Sequence, residues 1–164
     1  MKLAEIKDAR PRLIMAIGPS GSGKSTLFRK LKAENPNLEV FSLDLLRHEF
    51  YDPNDYARAW KMSVEDKTFS QRANQRFLEL LKQRKDLFVD NTNLTPKSRK
   101  FYLEQAKKMG YKTIAYVFNV DLDTLIARQT TRGDKNVPAE AVRQQFSVMK
   151  RPIENEFDEV NEVE

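Results

Sequence analysis

The 164-residue chain contains no cysteine and a single histidine, His48. The first absence excludes disulfides, thiolate zinc sites and thiol nucleophiles, and it suits a reducing compartment. The second excludes a histidine-rich metal site. No apolar run reaches the roughly 18 residues of a membrane span, and the first ten residues lack the apolar stretch of a secretory signal. The expectation is a cytoplasmic protein with no membrane partner. Internal repeats, low-complexity tracts and linkers are also missing. What is present is 40% hydrophobic and 32% charged residues, a balance that argues for a folded chain with a well-solvated surface, and the length suits one domain over 1–164.

The net charge of +5 conceals an asymmetry. Residues 154–164 form an acidic tail with six acids and no Lys or Arg; setting those six aside leaves 18 acids against 29 bases, so the rest of the chain carries +11. A body that basic favours nucleic acid or phosphorylated ligands, although a merely soluble Lys-rich surface gives the same count.

Apolar and β-branched runs alternate with helical periodicity along the chain. Arg12 to Ile17 reads as a strand buried on both faces, Lys24 to Glu34 as a helix and Leu38 to Ser42 as a second strand. Asp44 to Phe50 reads as a short helix, residues around Tyr51 to Asn54 as a break, and Ser63 to Lys82 as one long helix. Leu87 to Asp90 is the third strand. Thr95-Pro96 has the form of an N-cap with proline at the first helical position, and Gly110 stands where that helix should stop. A fourth strand over Tyr111 to Asn119, a helix over Asp121 to Arg132 closed by Gly133, and a last helix over Pro138 to Lys150 complete the pattern. Such alternation predicts an α/β fold with an open, mostly parallel sheet of four to five strands and helices on both faces. Ligands then sit beyond the carboxyl ends of the strands.

Between the first strand and its helix lies Gly18-Pro19-Ser20-Gly21-Ser22-Gly23-Lys24-Ser25-Thr26, which satisfies G-x-x-x-x-G-K-[ST]. Glycine is needed there because a Cβ would block close approach of phosphate to the backbone N–H groups. The N–H groups of about Gly21, Ser22, Gly23, Lys24, Ser25 and Thr26 are expected to surround a β-phosphate. The Lys24 ammonium reaches the β/γ oxygens, and the Ser25 hydroxyl serves Mg²⁺. With no Asn-Lys-x-Asp guanine-reading motif in the chain, ATP is the expected donor. Asp90, at the end of the third strand, is either a second acidic ligand near the metal or a turn-capping aspartate.

The loop does not identify the acceptor. Asp44, at the carboxyl end of the second strand, suits a general base, with Arg47 one turn on to bind an anion; an N-cap aspartate beside a surface arginine fits the same residues. Arg128 and Arg132 stand four apart before Gly133, as a lid over about 128–138 would require, or as a solvated helix face would.

Taken in order, the glycine loop, Asp44-x-x-Arg47, Asp90-Asn91-Thr92-Asn93-Leu94 and Arg128-x-x-x-Arg132-Gly133 with Lys135-x-Val137-Pro138 resemble the kinase domain of bacteriophage polynucleotide 5′-hydroxyl kinases over nearly the whole chain. The resemblance implies a P-loop kinase fold and an ATP- and Mg²⁺-dependent transfer to the 5′-OH end of DNA or RNA. In that role Asp44 is the general base and Arg47 contacts the acceptor's neighbouring 3′-phosphate. Lys24 and Arg132 stabilise the transferring phosphoryl, Arg128 helps to hold the donor, and Thr92 and Asn93 border the acceptor. The chain departs from the family at Asn91, where the phage enzymes carry an acid, and it lacks the Asp-x-Asp-x-Thr motif of their 3′-phosphatase domain. The resemblance therefore implies a kinase-only form, with a short final strand near Val160.

Overall fold

The computed structural model describes residues 8–132 and 136–164. Five strands, β1 (Arg12–Ile17), β2 (Glu39–Phe41), β3 (Leu87–Val89), β4 (Lys112–Phe118) and β5 (Glu159–Val163), lie in the order β2-β3-β1-β4-β5. Every neighbouring pair is parallel. The helices are α1 (Lys24–Glu34), α2 (Leu43–Phe50), α3 (Tyr56–Glu65), α4 (Phe69–Lys82), α5 (Pro96–Lys108), α6 (Leu122–Gln129) and α7 (Ala139–Val148). This is the α/β architecture, an open parallel sheet with helices on both faces, that the alternation of elements implied.

Because side chains alternate along a strand, β1 feeds two cores. Leu13, Met15 and Ile17 join Ala73 and Phe77 of α4 and Tyr102 and Leu103 of α5 on one face of the sheet. Ile14 and Ala16 meet Leu27, Phe28 and Leu31 of α1 on the other. With β1 central and neither face open, the loop after it emerges between the ends of β3 and β4, where the site must form.

The bounds of β1 and α1 coincide with the sequence reading. Thr95 caps α5 as expected, accepting from Ser98 N while the Ser98 hydroxyl closes a capping box. The long helix expected over 63–82 is two. Asp66 interrupts it: its carboxylate accepts from Thr68 N at 2.8 Å, Thr68 Oγ1 at 2.7 Å and the Tyr51 hydroxyl at 2.6 Å, a local turn that competes with helical hydrogen bonds. These donors hold the Asp66 carboxyl at about 2. The first of the two, α3, begins well before Ser63, where Asp55 caps it by accepting from Arg58 N.

Residues 154–164 are not a free acidic tail. Glu156 pairs with the fully buried Arg99, Asp158 accepts from Thr113 N and Oγ1, and β5 extends the sheet beside β4. The expected final strand is therefore present. Among the described residues, no helix is long and apolar enough to cross a membrane.

Candidate active site

The loop from Gly18 to Thr26 joins the end of β1 to the start of α1, and Gly18 N–H donates to Thr92 O, which ties it to the segment after β3. Gly21 and Gly23 have φ of 91° and 108°, the left-handed region that glycine tolerates. A Cβ on Gly21 would also come within 2.8 Å of Gln129 Nε2. The first bond of α1 runs from Leu27 N to Gly23 O, so the N–H groups of Lys24, Ser25 and Thr26 have no partner within the helix and face its N-terminal end. Ser22 departs from the expected cradle: its N–H and its hydroxyl both donate to Pro19 O, at 3.2 and 2.7 Å, closing a turn under the loop.

Lys24 is buried, its ammonium donating to Gly18 O at 2.8 Å and Pro19 O at 2.9 Å. Burial pushes its pKa down to about 8; the neighbouring Asp90 and Asp44 pull it up and Arg132 pushes it down. Charges just after β3, on α2 and in the turn after α6 thus all act on one ammonium, which links four of the residues singled out from the sequence electrostatically.

Ser25 Oγ donates to Asp90 Oδ2 at 3.0 Å. A hydroxyl and a carboxylate at that spacing, beside a helix N-terminus, form a small all-oxygen donor set of the kind that suits Mg²⁺, which binds few protein oxygens and keeps several waters. Asn91 is not part of this pair: its Oδ1 accepts from Leu43 N at 3.0 Å and anchors the start of α2. Among the described residues, no group of three or more His, Asp or Glu is gathered for a metal.

Asp44 sits in the first turn of α2. Its cap is not its own, since Ser42 caps the helix by accepting from Leu45 N. Arg47 Nη1 and the Tyr56 hydroxyl both donate to Asp44 Oδ1, at 2.8 and 2.9 Å, and the Asp44 side chain stays 45% exposed. Both donors sit on one oxygen, and Oδ2 has no hydrogen-bond partner among the described residues. Arg47 is itself held, donating from Nε to Ser63 Oγ at 3.1 Å and lying over the Trp60 and Phe69 rings. Its side chain is only 12% exposed, so it braces Asp44 more than it reaches outward. Burial, then the charge and hydrogen bond of Asp44, raise the Tyr56 phenol to about 12, so it remains a donor at any working pH.

Arg128 and Arg132 do not share a helix face: α6 ends at Gln129, and a tightened turn with Arg132 N on Gln129 O follows. Arg128 Nη1 grips Gly21 O and Ser22 O, at 2.9 and 3.3 Å, so it buttresses the loop from below. Asn93 is buried with φ of 51°, and its amide donates to Ala16 O, Val89 O and Asn91 O, which makes it a brace for the chain after β3. Thr92 takes part through its backbone carbonyl, and Thr26 accepts from Arg29 on the exposed side of α1. The lid glycine Gly133 and Lys135 lie outside the described residues.

Sequence reasoning missed Tyr56, Trp60 and Gln129. The buried Gln129 gathers the site's far side, donating from Nε2 to Ser20 O at 2.8 Å while its Oε1 accepts from Arg132 and from Val137 N. A glutamine at the last position of an apolar helix face was the available signal. For Tyr56 and Trp60 the only signal was Asp55 standing as an N-cap before a helix-forming run.

A family model described as AAA domain matches residues 13–155. A protein of Autographa californica nuclear polyhedrosis virus that carries the name bifunctional polynucleotide kinase/RNA ligase is 26% identical over 145 residues, covering 82% of this chain and 20% of the viral protein. The chain thus spans about a fifth of that relative. Among solved structures, a chain of the Pnkp1/Rnl/Hen1 RNA repair complex superposes with a TM-score of 0.67 at 21% identity, covering 89% of this chain and 46% of the other. A gluconokinase from Sinorhizobium meliloti 1021 superposes with a TM-score of 0.61 at 21% identity, covering 93% and 82%. These likenesses fix the fold and leave the acceptor open. With the glycine loop, the buried lysine and the Ser25–Asp90 pair in place, the chain belongs to the AAA domain family as a P-loop kinase domain.

Proposed function

We propose that the protein transfers the γ-phosphate of ATP to the 5′-hydroxyl of a polynucleotide, with Asp44 as general base. The observation that carries the reading is the Asp44 carboxylate, close enough for its charge to act on Lys24, with Oδ1 held by Arg47 and Tyr56 and Oδ2 without a hydrogen-bond partner among the described residues. The acceptor hydroxyl gives its proton to Asp44 as its oxygen bonds to the γ-phosphorus; the bond from that phosphorus to the β,γ-bridging oxygen breaks, and ADP leaves. Lys24, exchanging its two carbonyl partners for phosphate oxygens, and Arg132 neutralise the charge on the transferring group. Ser25 and, directly or through water, Asp90 would hold a Mg²⁺ ion, which would supply further charge neutralisation to the phosphates. The choice of a polynucleotide over a small alcohol is supported by the names of the viral relative and the RNA repair complex, and by the net charge of +5.

Incubation with γ-labelled ATP, Mg²⁺ and a 5′-OH oligonucleotide tests the reading directly. Label is expected on the oligonucleotide, with a rate that falls steeply as salt rises. Label on gluconate or a nucleoside, with none on the oligonucleotide, overturns it in favour of a small-molecule kinase. ATP binding without transfer to any hydroxyl overturns it in favour of a nucleotide-dependent switch.

Two further results are expected. Tyr56→Phe lowers kcat about tenfold, the value of one hydrogen bond to a charged group, without changing the KM for ATP. An unchanged kcat would show that Arg47 alone orients the base. The second concerns protons. Without nucleotide, Lys24 titrates near 8 against 10.5 for an ordinary lysine, so the fold gains stability as pH rises through that window, where the unfolded chain holds the extra proton. Phosphate beside the ammonium raises its pKa again, so ATP binding at pH 9 takes up a proton. Calorimetric titration in two buffers of different ionisation enthalpy reads that uptake; equal heats would remove Lys24 from the phosphate site.

A further inference from the structure

Trp60 is the single tryptophan of the chain, and 47% of it is exposed. It lies on α3, one turn from Tyr56, with the two ring centroids 6.5 Å apart. The Arg47 guanidinium carbon sits 4.2 Å from the indole centroid and covers one ring face. The same guanidinium donates to Asp44 Oδ1 at 2.8 Å, so the indole stands within about 8 Å of the proton acceptor. That is roughly the span between a nucleotide's 5′-hydroxyl and its own base. An exposed indole on a charged site has a plain role as a cover over Arg47, and one ring face suffices for that. Nearly half of the residue remains open to solvent, and its plane is fixed from behind by a guanidinium that is itself pinned by Ser63 and Asp44. Arg58 and Lys61, both exposed on α3, add cations along the same helix.

We infer that the exposed indole of Trp60 is a stacking platform for the 5′-terminal nucleobase of a single-stranded acceptor. This rests on the proposed 5′-hydroxyl kinase reading and deepens it. Stacking is indifferent to base identity, because every base offers a π-face, and it sets the distance between the base and the hydroxyl that Asp44 deprotonates. A sugar without an aromatic base gains nothing from it, so the platform favours nucleotide ends over small polyols.

A single tryptophan makes the test direct. Indole emission is followed while the intact protein is titrated with a 5′-OH oligodeoxynucleotide of about eight residues, and with the same oligonucleotide lacking only its 5′-terminal base. KM and kcat for both are then measured with ATP and Mg²⁺. The intact oligonucleotide is expected to quench the emission, and the abasic one to bind about tenfold more weakly with little quenching. Trp60→Ala is expected to raise the KM for the intact oligonucleotide to the abasic level, and Trp60→Phe to recover most of the difference. If the intact oligonucleotide is phosphorylated while the emission does not move and the two KM values agree, the platform is overturned and the kinase reading stands. If emission responds to protein concentration and not to oligonucleotide, the face is a contact between copies of the chain and the platform is again overturned. No phosphorylation of either oligonucleotide overturns the kinase reading itself, and the platform with it.

Discussion

Asp44→Ala is expected to reduce phosphate transfer to a 5′-OH oligonucleotide by about 10³-fold while leaving ATP binding within a factor of about two. The asymmetry follows from where the residue sits. Among the described residues, Asp44 makes no hydrogen bond to the glycine loop; its partners are Arg47 and Tyr56. Removing the carboxylate deletes the proton acceptor and frees the two donors that aimed it, so the loss falls on the chemical step. Lys24→Ala is the contrast, since that ammonium serves the donor phosphates and its loss weakens ATP binding and turnover together. Single-turnover transfer with labelled ATP, alongside equilibrium binding of a non-hydrolysable analogue, separates the two. Near-normal transfer by Asp44→Ala would remove it as the base.

Arg99→Ala is expected to destabilise the fold by about 3–5 kcal/mol, a fall of roughly 10 °C in Tm for a chain of this size. Arg99 is fully buried, with Nε and Nη2 on the two Glu156 oxygens at 2.7 and 3.1 Å and Nη1 on Asn93 O and Lys150 O at 2.8 and 3.1 Å. Its loss strands a buried carboxylate and removes a donor from two carbonyls. The double variant Arg99→Ala, Glu156→Ala is expected to cost clearly less than the sum of the single changes, because it leaves no orphaned charge. Thermal denaturation of the three variants measures the coupling, and simple additivity would show that the pair contributes nothing of its own. The same variant bears on activity, since Asn93 holds the segment carrying Asp90, and the site should loosen before the fold is lost.

The donor half of the site was legible because its chemistry is local. Gly18 to Thr26 names its own backbone geometry, and the apolar run before it and the helix after it need no distant partner to form. Thr95 and Pro96 were legible for the same reason. What stayed hidden depended on tertiary neighbours. Tyr56 and Trp60 acquire meaning only when α3 folds back on α2, and the Asp66 turn that separates α3 from α4 draws on Tyr51, fifteen residues away. Arg99 reads as one more surface arginine until Glu156, 57 residues on, arrives beside it. The spacing of Arg128 and Arg132 suggested a shared helix face, but the helix stops between them and gives the first to the loop and leaves the second near Lys24.

The placement of β5 has a consequence for how the molecule behaves at high concentration. As the outer strand beside β4, it presents the row of backbone groups onto which another chain could add a strand. That rim carries Glu159 and Glu162, and neither swings freely: Lys112 holds the first and Arg151 the second. A second strand laid against β5 would have to displace these ion pairs or sit beside charge that cannot turn away. Residues 154–164, read first as an acidic tail, thus give the sheet a guarded border against aggregation through strand addition.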